Sequence, residues 1–494
     1  MSRTAAPKAN GTAAEGGGAS GGRTAAPKAN GTAAEGGGAS GGRTAAPKAN
    51  GTAAEGGGAP RGRTAAPKAN STAADGGGTP GSSLFLGRRR SAAVFLAFAF
   101  AYFLSTLIRA ITATLSPTLT ADFQLHARDL GLLAGGYFLG FAITQLPMGT
   151  WLDRHGPKRV IVCFLSTAVA GCLLFSAATQ FSVLMAARVL TGVGVSACLM
   201  APLTAYRRWF DPALQLRANS WMLMVGSLGL VGATLPVHWL MPLWGWRPLF
   251  WLVAAGLLVA MLLIAWAAPA WRQAGGEPLG MTQDGGYSDV WRDPFFRKLA
   301  PIGFFNYGGF VAMLTLWVVP WLTQVAGYAP GEAADALFQI SIAMLAAYWL
   351  WGVANPWFAR RGIAADRLIG WGLPLSMLAL GAILVLGPAA GTLAWMVFLC
   401  SSTVVAVAQP AVAMALPPAL AGRALSAYNL MVFLGVFVIQ WCVGLLIDLL
   451  GRAGFDAPGA FRGALGLFLG CCLLSYFYFL WAPPHNRRTR LRPA

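Results

Sequence analysis

Residues 149–159, GTWLDRHGPKR, form a short charged turn between two long apolar runs. The turn holds one acidic side chain, that of Asp153, three arginine or lysine side chains, and glycines at positions 149 and 156. Short basic turns between long apolar runs are typical of the loops that connect membrane-spanning helices. The turn therefore predicts that the chain crosses a membrane immediately before and immediately after it.

The composition of the 494-residue chain also predicts a membrane protein. Hydrophobic residues make up 56% and charged residues only 11%, and a soluble core of this size would need more charge. The net charge of +19 is compatible with nucleic-acid binding, but outside the first eighty residues nearly all lysines and arginines fall in short turns. We therefore expect no nucleic-acid partner. The seven cysteines lie inside apolar segments without metal-ligand spacing, so we expect neither a metal nor a cofactor.

Residues 1–87 differ in composition from the rest of the chain. The unit RTAAPKANGTAAEGGG begins at positions 3, 23 and 43 and recurs with small changes at position 63. Because the unit lacks large apolar side chains, stacked copies would bury too little surface to offset the lost chain entropy. We predict a disordered, low-complexity tail, with its role and the true start site left open.

Twelve apolar segments follow, each near the length that a helix needs to cross a bilayer. The first begins after Arg88–Arg90 and is too long for a signal peptide, so we expect it to be retained. The predicted fold is all-α, with two bundles of six helices. We number the spans 1 to 12 in chain order: 92–117, 130–152, 160–178, 184–205, 220–240, 249–270, 302–325, 336–358, 368–386, 393–416, 425–450 and 463–481.

Basic residues are distributed unequally between the two sets of loops. Clusters at 88–90, 154–159, 207–217, 292–298, 360–367 and 487–492 share one predicted side, which the positive-inside rule makes cytoplasmic. Both termini are then cytoplasmic, and we call the opposite side the outer side. The predicted domains are the tail (1–87), a first bundle (88–272), a cytoplasmic linker (273–298) and a second bundle with a short cytoplasmic tail (299–494). The predicted location is a bacterial inner membrane.

The turn at 149–159 resembles the loop between helices 2 and 3 of the major facilitator superfamily, whose pattern is G-x-L-x-D-R-x-G-R/K-R. The resemblance extends over about residues 91–482 and implies a transporter with a cytoplasmic conformational latch, in which Asp153 meets a helix N-terminus or Arg207, and Gly149 allows close backbone approach. The counterpart at 352–362 has Pro356 in place of the acid. The latch residues implied are Gly149, Asp153, Arg154, Gly156, Lys158 and Arg159.

Two further segments resemble motifs of the superfamily. Residues 188–194 in span 4 match its R-x-x-x-G-x-G pattern, and glycines 226, 229 and 232 of span 5 share one face, which predicts close helix packing. Residues 422–441 resemble a pattern of bacterial members labelled as nitrate-type or general carriers. The glycine and asparagine-rich signature of nitrate porters is not evident, so this resemblance indicates no particular anion.

Charges inside the predicted spans give the main indication of a substrate. Arg109 lies near the middle of span 1, where an arginine costs ~3 kcal/mol, so it should face a watery cavity or the bundle interior. Arg188 lies in the outer part of span 4, where it can reach the surface or pair with backbone carbonyls. No aspartate or glutamate falls in the middle of a span, and Asp448 lies near the outer end of span 11. An anionic substrate would supply the missing charge, although carbonyls or water are the alternative partners of Arg109.

Polar side chains elsewhere in the spans are further candidates for the substrate site, and each can equally bridge two helices. His238 in span 5 is a candidate proton site, or a packing residue. The candidate substrate-binding residues are Arg109, Arg188, Asn306, Tyr307, Tyr348, Gln409, Asn429 and Gln440.

These observations together predict a secondary transporter that works by alternating access, and no enzyme, because no catalytic triad, metal cluster or nucleotide site is present in the sequence. The expected partners are a small, anionic solute, membrane lipid and a coupling ion, H⁺ or Na⁺. Two alternatives stay open: a proton-linked exporter of drugs or other hydrophobic compounds, and a non-transporting sensor built on a carrier fold. The sequence does not define the substrate, the direction of transport, the coupling ion or the oligomeric state.

Overall fold

Helices account for almost every residue in the described part of the chain. The computed structural model describes residues 86–270 and 286–482, and contains no strand within those ranges. All of them belong to one compact unit, Thr79–Ala494. The predicted tail and part of the predicted linker lie outside the described residues.

The first half consists of six spans in the predicted order. Gly156 has a φ of 79°, a backbone conformation that favours glycine. It separates the end of span 2 from the start of span 3 within the helical segment Gln145–Ala177. Span 5 bends between Gly232 and Leu235. The helices are Arg88–Phe123, Ala127–Ile143, Gln145–Ala177, Phe181–Val195, Ala197–Trp209, Pro212–Gly232, Leu235–Trp244 and Trp246–Ala267.

The second half repeats this arrangement after a short linker helix, Tyr287–Arg292. Span 7 contains two π-helical segments, and π-helical turns are frequent at functional sites. Gly362 has a φ of 70° in the loop that corresponds to the one at Gly156. The helices of span 7 are Pro294–Pro301, Ile302–Tyr307, Gly308–Ala312, Met313–Trp317 and Val318–Gln324; those of spans 8 to 12 are Pro330–Arg360, Ala365–Leu386, Thr392–Ser402 with Thr403–Val407 and Ala408–Ala415, Pro418–Arg452, and Ala457–Trp481.

Each predicted span coincides with helix in the structure. Ten helices are long and apolar enough to cross a membrane, and the bent pair of span 5 makes an eleventh candidate. Span 2 begins as the shorter helix Ala127–Ile143 and continues beyond Thr144 to Gly156. The prediction of an all-α membrane fold with two six-helix bundles is therefore confirmed.

Glycines allow the closest helix contacts. On span 2, a Cβ at Gly135 would lie 2.9 Å from the Phe437 ring of span 11. The predicted glycine face of span 5 packs on span 1, where Gly226 adjoins the ring of Tyr102. Small residues at these positions let helix backbones approach closely, which is the main source of helix association in a bilayer.

The two halves are also joined at the outer ends of spans 2 and 11. The carboxylate of Asp448 accepts hydrogen bonds from the backbone N–H groups of Ala127 and Arg128, both at 3.1 Å. These two residues begin span 2, so the carboxylate caps a helix of the other half and neutralises its partial positive charge. We call this arrangement the outer contact.

Candidate functional site

Arg109 lies where the two halves meet, near the middle of span 1. Its guanidinium carbon is 5.5 Å from the ring centroid of Phe141 on span 2 and 5.7 Å from that of Phe433 on span 11. The two rings are themselves only 4.3 Å apart. Cation–π attraction therefore holds the guanidinium against a pair of rings, one from each half.

Four tyrosines complete the surroundings of this guanidinium. The charge of Arg109 acts on the hydroxyl groups of Tyr102, Tyr137, Tyr307 and Tyr348, which come from spans 1, 2, 7 and 8. Tyr137 is fully buried, donates to the backbone oxygen of Ser105 at 3.2 Å, and lies within electrostatic range of Arg109. The site thus combines one cation with apolar ring faces and several hydroxyl groups.

The charge of Arg109 has no acidic counterpart in the described part of the chain. Within residues 86–270 and 286–482, ion pairs join His126 or Arg128 to Asp129 or Asp448 at the outer side, and Arg109 takes part in none of them. The Nε atom of Arg109 is buried and lacks a hydrogen-bond partner. A partly buried cation without a counter-charge is unfavourable, and an anion that reaches it would gain both Coulomb energy and a hydrogen bond.

Arg188 lies behind this site and does not reach the surface. It is 1% exposed, and its Nη1 donates to the backbone oxygen of Ile108 at 3.3 Å while Nη2 donates to the hydroxyl of Thr112. Its guanidinium also lies 5.5 Å from the ring of Tyr137. Of the alternatives that the sequence left open for Arg188, the structure therefore shows pairing with span 1 carbonyl and hydroxyl groups inside the bundle and not extension to the outer surface.

The other predicted site residues divide into two groups. Tyr307 and Tyr348 lie around Arg109, as described above. The four amide side chains instead bond to groups on neighbouring helices, the alternative that the sequence left open: Asn306 donates to Ser475 at 2.6 Å, Gln440 donates to Thr315 at 2.9 Å, and Gln409 donates to Asn429. Asn306 also lines a cavity of about 10 Å³ inside the second half, room for about one water molecule.

Sequence reasoning did not identify four aromatic residues of the site. A usable signal existed in the helical period: Tyr102 precedes Arg109 by seven residues on span 1, and Tyr137 precedes Phe141 by four on span 2. Residues at these spacings lie on one face of a helix. Phe433 on span 11 had no comparable signal.

The predicted latch is a surface turn with defined contacts inside the first half. The exposed Asp153 lies within electrostatic range of Arg207, at the end of span 4. Lys158 donates to the backbone oxygen of Ala268 at 2.8 Å and so caps the end of span 6. Gly149 does not serve close backbone approach, contrary to expectation, because a Cβ there would meet no atom within 4 Å.

The candidate proton site, His238, lies at another contact between the halves. Its Nε2 atom is 3.3 Å from the position that a Cβ on Gly331 of span 8 would occupy. The residue is partly buried on the outer part of span 5. A role for His238 in proton coupling stays a prediction.

Comparison with known proteins gives one family match over most of these spans. The family profile described as Major Facilitator Superfamily matches residues 98–439. The chain is similar to the 4-hydroxybenzoate transporter PcaK of Pseudomonas aeruginosa, with 30% identity over 166 residues, which are 33% of this chain and 36% of the relative. It is also similar to the multidrug resistance protein MdtL of Shigella flexneri, with 26% identity over 168 residues, 33% of this chain and 42% of the relative. These alignments span less than half of each relative.

Solved structures show the same fold. A bacterial homolog of the human lysosomal transporter Spinster, in an inward-facing and occupied conformation, superposes with a TM-score of 0.67 at 18% identity over 83% of this chain and 100% of that chain. A D-xylose-proton symporter superposes with a TM-score of 0.64 at 15% identity, over 80% and 98% of the two chains.

Proposed function

The chain belongs to the Major Facilitator Superfamily, and from this premise we propose that it carries a small aromatic carboxylate across a membrane by alternating access. Membership of a transporter family also confirms the prediction that the protein is not an enzyme. The proposal rests on one observation above all: a partly buried guanidinium at the junction of the two halves, in contact with aromatic rings and without an acidic partner in the described ranges.

The proposal that the substrate carries a negative group is supported by the charge of Arg109. Its Nε atom is a buried donor without an acceptor, and a carboxylate is a planar acceptor that an arginine can bind through two parallel hydrogen bonds. A neutral ligand would leave the positive charge uncompensated. A cationic ligand would add a repulsive charge.

The proposal that the substrate is aromatic is supported by the aromatic rings of the site. Phe141 and Phe433 present apolar faces next to the guanidinium, and ring pairs in offset or edge arrangements contribute about 0.5–1.5 kcal/mol beyond their buried area. The tyrosine hydroxyl groups offer partners to a polar substituent on the ring. The similar protein of Pseudomonas aeruginosa is named as a transporter of 4-hydroxybenzoate, which has these two features.

Alternating access is supported by the origin of the side chains. Arg109 and Phe141 belong to the first half, whereas Phe433, Tyr307 and Tyr348 belong to the second. A substrate bound among them is held by both halves, so rocking of one half against the other exposes it to one side or the other. We place the protein in a bacterial inner membrane with both termini cytoplasmic and with H⁺ or Na⁺ as the coupling ion.

Export of hydrophobic compounds is the second candidate. It is favoured by the similarity to MdtL and by the contacts of Arg109 with two phenylalanine rings, which partly offset the cost of its burial without any anion. The two candidates differ in the charge of the ligand that they accept.

A binding and transport experiment separates these candidates. The purified protein is heated with 4-hydroxybenzoate, with a neutral sugar and with a lipophilic cation; a ligand at 100 times its Kd stabilises the fold by ~2.7 kcal/mol. We expect stabilisation by 4-hydroxybenzoate alone, and its uptake into proteoliposomes.

The matched variants are Arg109→Gln, which should lose both effects, and Arg247→Gln, a distant arginine on Trp246 that should keep them. Stabilisation by the lipophilic cation that is unchanged in Arg109→Gln would reject the carboxylate and support the exporter.

A further inference from the structure

A groove lies on the surface of the second half, where the linker helix and the start of span 7 meet spans 11 and 12. Its volume is about 400 Å³, within the range of small-molecule sites. Most of its lining is aromatic or aliphatic, and Arg297 is the charged residue among the lining side chains. The residues that matter here are Trp291, Phe296, Arg297, Ala300, Phe304 and Tyr478.

The charge of Arg297 is available to a ligand. The side chain is exposed, and within the described ranges it takes part in no ion pair. The acidic residues nearest in sequence use their carboxylates to cap helices: Asp289 accepts from the backbone N–H of Gly286 at 2.8 Å, and Asp293 from that of Phe295 at 2.9 Å. A cation therefore lies at an apolar groove without a described counter-charge.

The next residue, Lys298, does not line the groove, so Arg297 is the basic residue of this pair that a ligand in the groove would meet. Lys298 is 7% exposed, and its Nζ atom lies 4.7 Å from the ring centroid of Phe479 inside the bundle. On the groove side, Trp291 packs edge-on against Phe296 at 5.0 Å and joins the linker helix to span 7. The groove wall is thus built from two elements that meet through these rings.

The position of the groove relative to the membrane follows from its residues. It lies at the end of the bundle where the basic loops cluster, which the positive-inside rule places in the cytoplasm, and Trp291 and Tyr478 are residue types that concentrate at the membrane interface. Anionic lipids are abundant in the cytoplasmic leaflet, and basic pockets on that side bind their head groups.

We propose that this groove binds an anionic phospholipid, with one acyl chain along the apolar lining and the phosphate on Arg297. The apolar walls alone would accept an acyl chain of any lipid, whereas the guanidinium gives the preference for a negative head group. The bound lipid would contact both the linker helix and span 7, and so would hold the linker against the second half. This proposal does not depend on the identity of the transported substrate.

Lipid binding can be measured on the purified full-length protein. Delipidated protein is mixed with phosphatidylglycerol or phosphatidylcholine, and bound lipids are counted by native mass spectrometry while the unfolding temperature is recorded. We expect more phosphatidylglycerol than phosphatidylcholine to stay bound, by at least threefold. Arg297→Gln should bring the two lipids to the same level, and Ala300→Leu, which narrows the groove, should reduce retention of both.

Arg361→Gln is the matched control, because Arg361 is also exposed at the basic end but packs on Trp357, away from the groove. It should leave the preference for phosphatidylglycerol unchanged. The proposal is overturned if Arg297→Gln keeps the preference of the unmodified protein, if both lipids bind that protein equally, or if inorganic phosphate alone reproduces the stabilisation.

Discussion

Arg188 donates a hydrogen bond from Nη1 to the backbone oxygen of Ile108, the residue that directly precedes Arg109. A buried arginine of span 4 is thus attached to the backbone of span 1 beside the candidate binding arginine. Tyr137 lies near both guanidinium groups, since it is within electrostatic range of Arg109 and its ring centroid is 5.5 Å from the guanidinium carbon of Arg188. The two arginines therefore differ in their partners: Arg188 is buried and donates from both Nη atoms to span 1, whereas Arg109 is partly exposed and contacts the rings of Phe141 and Phe433. The Nε atom of each arginine lacks a hydrogen-bond partner.

This difference predicts unequal stability effects for two matched substitutions. Arg188→Gln should lower the free energy of unfolding by about 3 kcal/mol, because it removes the hydrogen bonds that a buried, charged donor makes to Ile108 and Thr112 of span 1. Arg109→Gln should change the stability of the ligand-free protein much less, because the side chain is partly exposed and makes no ion pair within the described ranges. Thermal unfolding without ligand measures both; equal losses in the two variants would contradict the distinction.

The ring pair predicts a specific effect on affinity. Phe433→Leu keeps an apolar side chain but removes the ring that lies 4.3 Å from Phe141, so an aromatic carboxylate should bind about fivefold more weakly, in line with the ~1 kcal/mol of a ring pair. Binding of an aliphatic carboxylate should change little. Calorimetric titration of both ligands tests this, and an equal loss for both would indicate a general packing defect.

Replacing the two glycines of the turn at 149–159 by alanine should change the stability of the protein by different amounts. Gly156→Ala should cost about 1–2 kcal/mol, because φ is 79° there and a Cβ is unfavourable in that region. Gly149→Ala should be neutral or stabilising, because a Cβ would meet no atom within 4 Å and alanine favours helix by up to ~1 kcal/mol. Unfolding temperatures of the two variants provide the comparison, and a stable Gly156→Ala protein would argue against the positive φ.

The sequence was sufficient for the fold and for one central residue of the site. Long apolar segments have a simple physical signature, so all twelve spans were placed, and Arg109 was identified because a charge in such a segment is costly. The inward faces of the spans were harder to predict. A span that is apolar on every side gives no signal for which ring points to the site, so Phe141 and Phe433 emerged only from the packing of span 2 on span 11.

The amide side chains show a second physical limit. A buried glutamine that binds a substrate and one that joins two helices have the same sequence signature, because both place a polar group in an apolar segment. Gln440 and Asn306 proved to donate to Thr315 and Ser475 on other spans. Their partners are distant in sequence, so only the three-dimensional arrangement reveals them.

The outer contact predicts that a single carboxylate biases the conformation of the carrier. Asp448→Asn removes the negative charge at the N-terminus of span 2 and one of the two acceptor oxygens bound by Ala127 and Arg128, so the outer ends of the halves should separate more often. A cap of this kind contributes about 1 kcal/mol, enough to change the ratio of outer-closed to outer-open states about fivefold.

Distances between spin labels on Gln180 and Phe455, exposed outer residues of the two halves, report this ratio after the native cysteines are replaced. Asp456→Asn is the matched control, because Asp456 caps span 12 within one half through the N–H of Gly459 at 2.9 Å and should leave the distance distribution unchanged. If Asp448→Asn also leaves the distribution unchanged, the carboxylate does not hold the outer side closed.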